Sequence, residues 1–79
     1  MTNLAQELFN ALLIYVQRTD PNATVVVNYT EEVHLRWDGR SEHQVDIVYA
    51  VPDYLGNEQM FEITYFGSFF DLVQELIND

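Results

Sequence analysis

Two histidines, thirteen carboxylates and three arginines are the side chains of this 79-residue chain that could carry chemistry. His34 and His43 are the groups that titrate near neutral pH. Lysine and cysteine are both absent, which removes Schiff-base chemistry, the P-loop cation, thiolate nucleophiles, thiolate metal sites and disulfides. The sequence contains no glycine-rich phosphate loop, nucleophile elbow, HExxH pair or EF-hand spacing. An enzyme could draw only on His34 with Asp46 or Glu62, and a metal site only on the two histidines with Asp46 or Glu32; nothing in the spacing requires either. His34 falls at an outward strand position and His43 beside a turn, so both read as surface histidines. No catalytic residue, metal or cofactor is expected, and the chain reads as a non-enzyme.

The carboxylates are patterned. Asp71, Glu75 and Asp79 stand at i, i+4 and i+8 of a helical segment, a ladder of negative charge in steps of about 6 Å. Glu31 and Glu32 are adjacent, Asp38 and Glu42 flank one turn, Asp53 and Glu58 flank another, and Asp46 and Glu62 fall on the outward face of two strands. Regularly spaced carboxylates on a rigid domain can stand in for backbone phosphates; a simply solvated acidic surface is the plainer use of the same residues. A formal charge of −10 repels nucleic acid and anionic lipid, so direct binding to either is not expected. A basic protein surface is the partner such a charge favours, because complementary fields raise encounter rates; where the carboxylates stand in for phosphates, that surface belongs to a nucleic-acid-binding protein or complex.

Periodicity supplies the elements that would position these groups. Leu4 to Arg18 reads as a helix, N-capped by Asn3 with Gln6 three residues on and ended by Asp20-Pro21. Leu4, Leu8, Phe9, Ala11, Leu12, Tyr15 and Val16 fall on one face, and Ile14 sits within the polar face as an ordinary exposed residue. The period then becomes two. Four strands are expected, carrying Ala23 to Tyr29, Val33 to Trp37, Val45 to Val51 and Phe61 to Tyr65, with every inward residue odd-numbered.

That parity demands loops with an odd number of residues. Thr30-Glu31-Glu32 would link the first two strands and pair Tyr29 with Val33. A two-residue Asp38-Gly39 turn is excluded, because it would set Leu35 against Glu42. A three-residue loop, Asp38 to Arg40, or a five-residue loop ending at Glu42, satisfies the parity, and the shorter one sets Arg36 opposite Glu42. Ser68, with Asp71 three residues on, starts a second helix with Phe69, Phe70, Leu72, Val73, Leu76 and Ile77 on one face. The expected fold is α+β: a four-stranded antiparallel sheet with N- and C-terminal helices packed on one face, in the order α-β-β-β-β-α.

Residues 1–79 make one acidic domain, since so short a chain cannot be split into two cores. Eleven aromatic residues support that core. With no basic stretch near Met1, no long apolar run and no cysteine, a cytoplasmic protein is expected, and two glycosylation-like triplets at Asn22 and Asn28 carry no weight. The even face of the sheet, with Val26, His34, Arg36, Gln44, Asp46, Val48, Ala50, Met60, Glu62 and Thr64, has nothing left to cover it. It suits an interface; a homodimer through this face, or edge to edge through the first or fourth strand, is a related expectation.

In its size, its charge, its lack of lysine and cysteine, and its clusters Glu31-Glu32 and Asp71/Glu75/Asp79, the whole chain resembles a class. These are the very small acidic phage-encoded inhibitors of nucleic-acid enzymes, including anti-CRISPR proteins and the uracil-DNA glycosylase inhibitor. Its opening, Met1-Thr2-Asn3-Leu4, is similar to that of the glycosylase inhibitor, and the remainder departs from that pattern, so no functional residue is carried over. The resemblance implies a non-enzymatic, anti-CRISPR-like inhibitor that blocks a nucleic-acid-binding effector through acidic patches, drawn from Asp71, Glu75, Asp79, Glu31, Glu32, Asp46 and Glu62. The alternative is an immunity protein, antitoxin or secretion-type chaperone that neutralises a basic effector.

Overall fold

A computed structural model describes residues 4–78. Helix α1 (Leu4–Gln17) is followed by strands β1 (Val25–Leu35), β2 (Ser41–Pro52) and β3 (Glu58–Phe66), and helix α2 (Phe69–Ile77) closes the chain. The sheet is an antiparallel meander with β2 in the centre. The fold is therefore α+β with three strands, and the expectation of four is corrected. The proposed N-cap Asn3 and the ladder residue Asp79 lie outside the described residues.

The error lies at Thr30-Glu31-Glu32. These residues run straight on in β1, opposite Asp46, Val45 and Gln44, so the two expected strands are one. Three polar residues in a row resemble a link only if the strand must stay half-buried. None of the three is a glycine, proline or asparagine that would favour a turn, and residues 30–43 are exposed throughout, so no apolar alternation is demanded of them.

Parity holds in the paired registers beyond a bulge. Tyr29 faces Ile47 and Val45 faces Tyr65, odd against odd. Both hairpins close with three-residue loops of one design. Arg36 N–H donates to the Arg40 carbonyl (2.7 Å) and Gly39 N–H to the Arg36 carbonyl (3.0 Å). Gly39 takes a φ of 83°, which completes a type I turn with its glycine bulge. The loop is thus Trp37-Asp38-Gly39, one residue earlier than expected, and Arg36 still reaches Glu42 (Nη1–Oε1 2.7 Å), diagonally rather than from directly opposite. Asp53 to Asn57 repeats the arrangement with Gly56, and Asp53 Oδ1 accepts from Leu55 N–H and Asn57 N–H.

The bulge at Val27 inverts the parity at the start of β1. Val26 pairs with Tyr49 and is buried, while Val25 and Val27 are exposed. Val26 therefore belongs to the core and not to the open face, as the extra residue of a bulge requires.

Both helices lie on the odd face. Leu12, Val16, Ala23, Val26, Val45, Ile47, Tyr49 and Leu72 form the core. Tyr29 is clasped between the two helices, edge-on to Phe9 (5.8 Å) and stacked on Phe69 (5.3 Å). Ser68 caps α2 as expected: its Oγ accepts from Asp71 N–H (3.1 Å), and the Asp71 carboxylate accepts from Ser68 N–H (3.2 Å). The apolar face of α2 is only partly covered; Leu72 is buried, whereas Phe70 and Ile77 are exposed. Ile14 is exposed. Gly67 is required by close approach, since a Cβ there would come within 2.7 Å of the Tyr65 ring.

Fourteen residues of α1 extend about 21 Å and the nine of α2 about 14 Å, whereas the twelve of β2 extend about 40 Å. The helices are too short to cover the strands. The end of the β1–β2 hairpin, beyond the row Glu32, Gln44 and Phe66 where β3 stops, projects as a two-stranded arm. The molecule measures 49 × 31 × 21 Å. No helix of the described residues is long and apolar enough to cross a membrane.

Candidate functional site

The acidic ladder of α2 is committed elsewhere. Asp71 is part of the helix cap just described. Glu75 Oε1 lies 3.6 Å from Arg18 Nη1 and ties the C-terminal ends of the two helices together. Burial, the Glu75 charge and a hydrogen bond to Glu75 push the Tyr65 hydroxyl up from its ordinary pKa. Burial, then Glu75, does the same to Tyr15, with Arg18 opposing. Tyr15 and Tyr65 meet edge to face at 5.8 Å. Two members of the ladder thus hold the fold together.

The open face of the sheet is different. No helix among the described residues covers it, although Ala50, expected on this face, is fully buried in the central strand, and successive rows set Asp46 beside Thr64, and Val48 beside Glu62. Thr64 Oγ1 donates to Asp46 Oδ1 (2.6 Å), and Gln44 Nε2 donates to both carboxylate oxygens (3.3 and 3.1 Å). These bonds, Thr64 first, hold the Asp46 carboxyl below its usual range; partial burial opposes them and His34 adds to them. Asp46 therefore stays ionised and fixed in position. Glu62 and Glu58 are exposed on the same face of β3, four residues or about 14 Å apart. Glu32 continues the face onto β1, where its Oε2 lies 3.1 Å from His34 Nε2. Glu31 points to the opposite, odd side, so the pair Glu31-Glu32 is split between faces.

Charge is divided unevenly along the molecule. Outside residues 30–43 nine carboxylates stand against Arg18, a formal charge of −8; within them, four stand against Arg36 and Arg40, giving −2. The arm's charges also compensate one another. Arg36 meets Glu42 at 2.7 Å and Asp38 at 3.9 Å, and Arg40 meets Asp38 at 4.0 Å.

Sequence reasoning missed the arm. Val33, Leu35 and Trp37 were expected to point inward, yet they are 58, 79 and 93% exposed. The odd-face alternation is real, but no helix extends far enough to cover it. The signal available in advance was the length of the hairpin against the length of the helices, once Thr30 to Glu32 are read as strand.

At the root of the arm lies an open cleft of about 460 Å³, lined by Glu42, His43, Phe66, Ser68 and Asp71 among others. Ser68 and Asp71 are engaged in the cap, and His43 has no hydrogen bond to either among the contacts observed, so the three do not form a relay. Among the described residues no three His, Asp or Glu side chains are grouped to hold a metal ion. No family model, curated protein or solved structure matches the chain.

Proposed function

We propose that this protein is a non-enzymatic inhibitor that binds the basic surface of a nucleic-acid-binding protein through the open face of its sheet. The observation that carries this reading is the acidic face itself. Asp46, Glu58 and Glu62, with Glu32 at its margin, lie on the sheet, uncovered by any described helix; Arg18 lies at the end of α1, Arg40 at the tip of the arm, and Arg36, which continues this face onto the arm, is paired with Glu42. A field of one sign on a fixed surface favours a partner of the opposite sign and speeds its approach. Val48 and Met60, between the carboxylates, supply the apolar contact that such an interface needs at its centre. Asp71 and Glu75 take no part, because both are already paired.

The test is a pull-down from the native host with the tagged chain, washed at rising salt and read by mass spectrometry, beside the double reversal Glu58→Lys/Glu62→Lys. The expected result is a nucleic-acid-binding complex that the wild type retains at low salt, releases at high salt, and that the reversed variant fails to retain. Equal retention by both chains would refute the assignment of the face.

A further inference from the structure

We infer that the β1–β2 arm is a self-association device: two copies pair through the stripe Val33, Leu35 and Trp37, with the arms antiparallel about a two-fold axis. This goes beyond the inhibitor reading and does not depend on it.

Surface area is the first argument. A compact chain of 9.3 kDa exposes about 5,000 Å²; this one exposes 5709 Å². The excess of about 700 Å² is close to the ~800 Å² that each partner buries in a stable interface. The radius of gyration, 14.2 Å against the roughly 11.6 Å of a compact 79-residue domain, says the same.

The stripe is the second argument. Val33 and Leu35 continue, on the arm, the face that α1 and α2 bury on the body, and Trp37 follows in the turn. A half-covered face of this kind needs a second layer. Nothing in the described part of the chain provides one.

Charge selects the occupant. Two copies at −10 repel, and their bodies, at −8 each, must stay apart. The arm carries only −2, and both of its arginines are paired with Asp38 or Glu42, so it is where copies can meet at least cost. Antiparallel arms also place the bodies at opposite ends. In that arrangement the tip, Arg36 to Arg40 with a net +1, lies over the other copy's arm root, which carries Glu31 on the same odd face. The cleft beside that root, with exposed Phe66, is then within reach of the incoming Trp37. A two-fold axis makes the insertion reciprocal.

The test is sedimentation equilibrium of the full chain over a wide concentration range, together with emission from Trp37, the sole tryptophan. The expected result is a species of twice 9.3 kDa, a blue shift of the emission as concentration rises, and tighter association at ~1 M than at ~0.01 M salt, because screening relieves the repulsion of the bodies. Leu35→Ser/Trp37→Ser should weaken the dimer about 30-fold or more, as loss of central interface anchors does, with an unchanged circular dichroism spectrum because both residues are exposed. A wild type that stays at 9.3 kDa with solvent-exposed tryptophan at every concentration would overturn the inference. So would a dimer that the double variant forms equally well.

Discussion

The body and the arm of this molecule are built from the same strands under opposite rules. On the body, Val45, Ile47 and Tyr49 of β2 are fully or nearly buried beneath two helices and Val51 is half-buried, and the charges exposed to solvent are almost all negative. On the arm, the odd residues Val33 and Leu35 continue the same alternation into solvent, and the charges pair off. The difference shows that alternation fixes which face a residue takes, whereas burial depends on whether a second layer reaches it.

The sharpest way to break this comparison is to truncate one apolar residue in each region. Leu72→Ala or Leu12→Ala removes a fully buried side chain and should cost about 2–5 kcal/mol in urea unfolding, enough to unfold much of so small a domain. Leu35→Ser, measured on dilute protein, should change stability by less than about 0.5 kcal/mol. A large loss at Leu35 would mean that the arm is structural in the single chain.

Next in size is the cap of α2. Ser68→Ala removes the acceptor for Asp71 N–H and should cost about 1 kcal/mol. Glu75→Gln loses the partly exposed pair with Arg18, worth about 0–1 kcal/mol, and should lower the pKa of Tyr65 toward that of an ordinary tyrosine. Together the two variants separate a structural role for these carboxylates from a binding role, since Glu75→Gln should leave partner capture intact.

The smallest effects are those of pH. Asp46 is held below the usual carboxylate range, so its contribution is complete above the pKa of an unfolded aspartate, about 4, and is lost as pH falls through the lowered folded value. Tyr15, Tyr49 and Tyr65 are pushed up, so their contribution is complete below about pH 10 and is lost as pH rises through their raised values. Thr64→Val removes the strongest bond to Asp46 and should move its titration, followed by NMR, back toward the ordinary value.

Much of the scaffold was legible in the residues themselves. Helix α2 announces itself through Ser68 and Asp71, the odd-residue parity rules out the two-residue Asp38-Gly39 turn, and the uncovered even face follows from the lack of a third helix. Three features were not legible. The Val27 bulge leaves no mark in a run of three valines, and it moved Val26 into the core. Thr30 to Glu32 carry the same polar signal whether they form a link or a solvated strand, and only the pairing with β2 decides between them. The ladder Asp71/Glu75 is regular in spacing, but the uses of its two described members depend on Ser68 N–H and on Arg18 at the far end of α1, which spacing cannot show. The face now favoured was half visible, through Asp46 and Glu62, while Glu58 was assigned only to its loop.

The most direct test of the account is competition. The effector recovered by the wild-type chain would be bound to its own labelled nucleic acid and titrated with wild type and with Glu58→Lys/Glu62→Lys. The wild type should displace the nucleic acid in a salt-sensitive manner, and the reversed variant, folded to the same degree, should not. Displacement by both alike, or by neither, would contradict the claim that the acidic open face is the inhibitory surface.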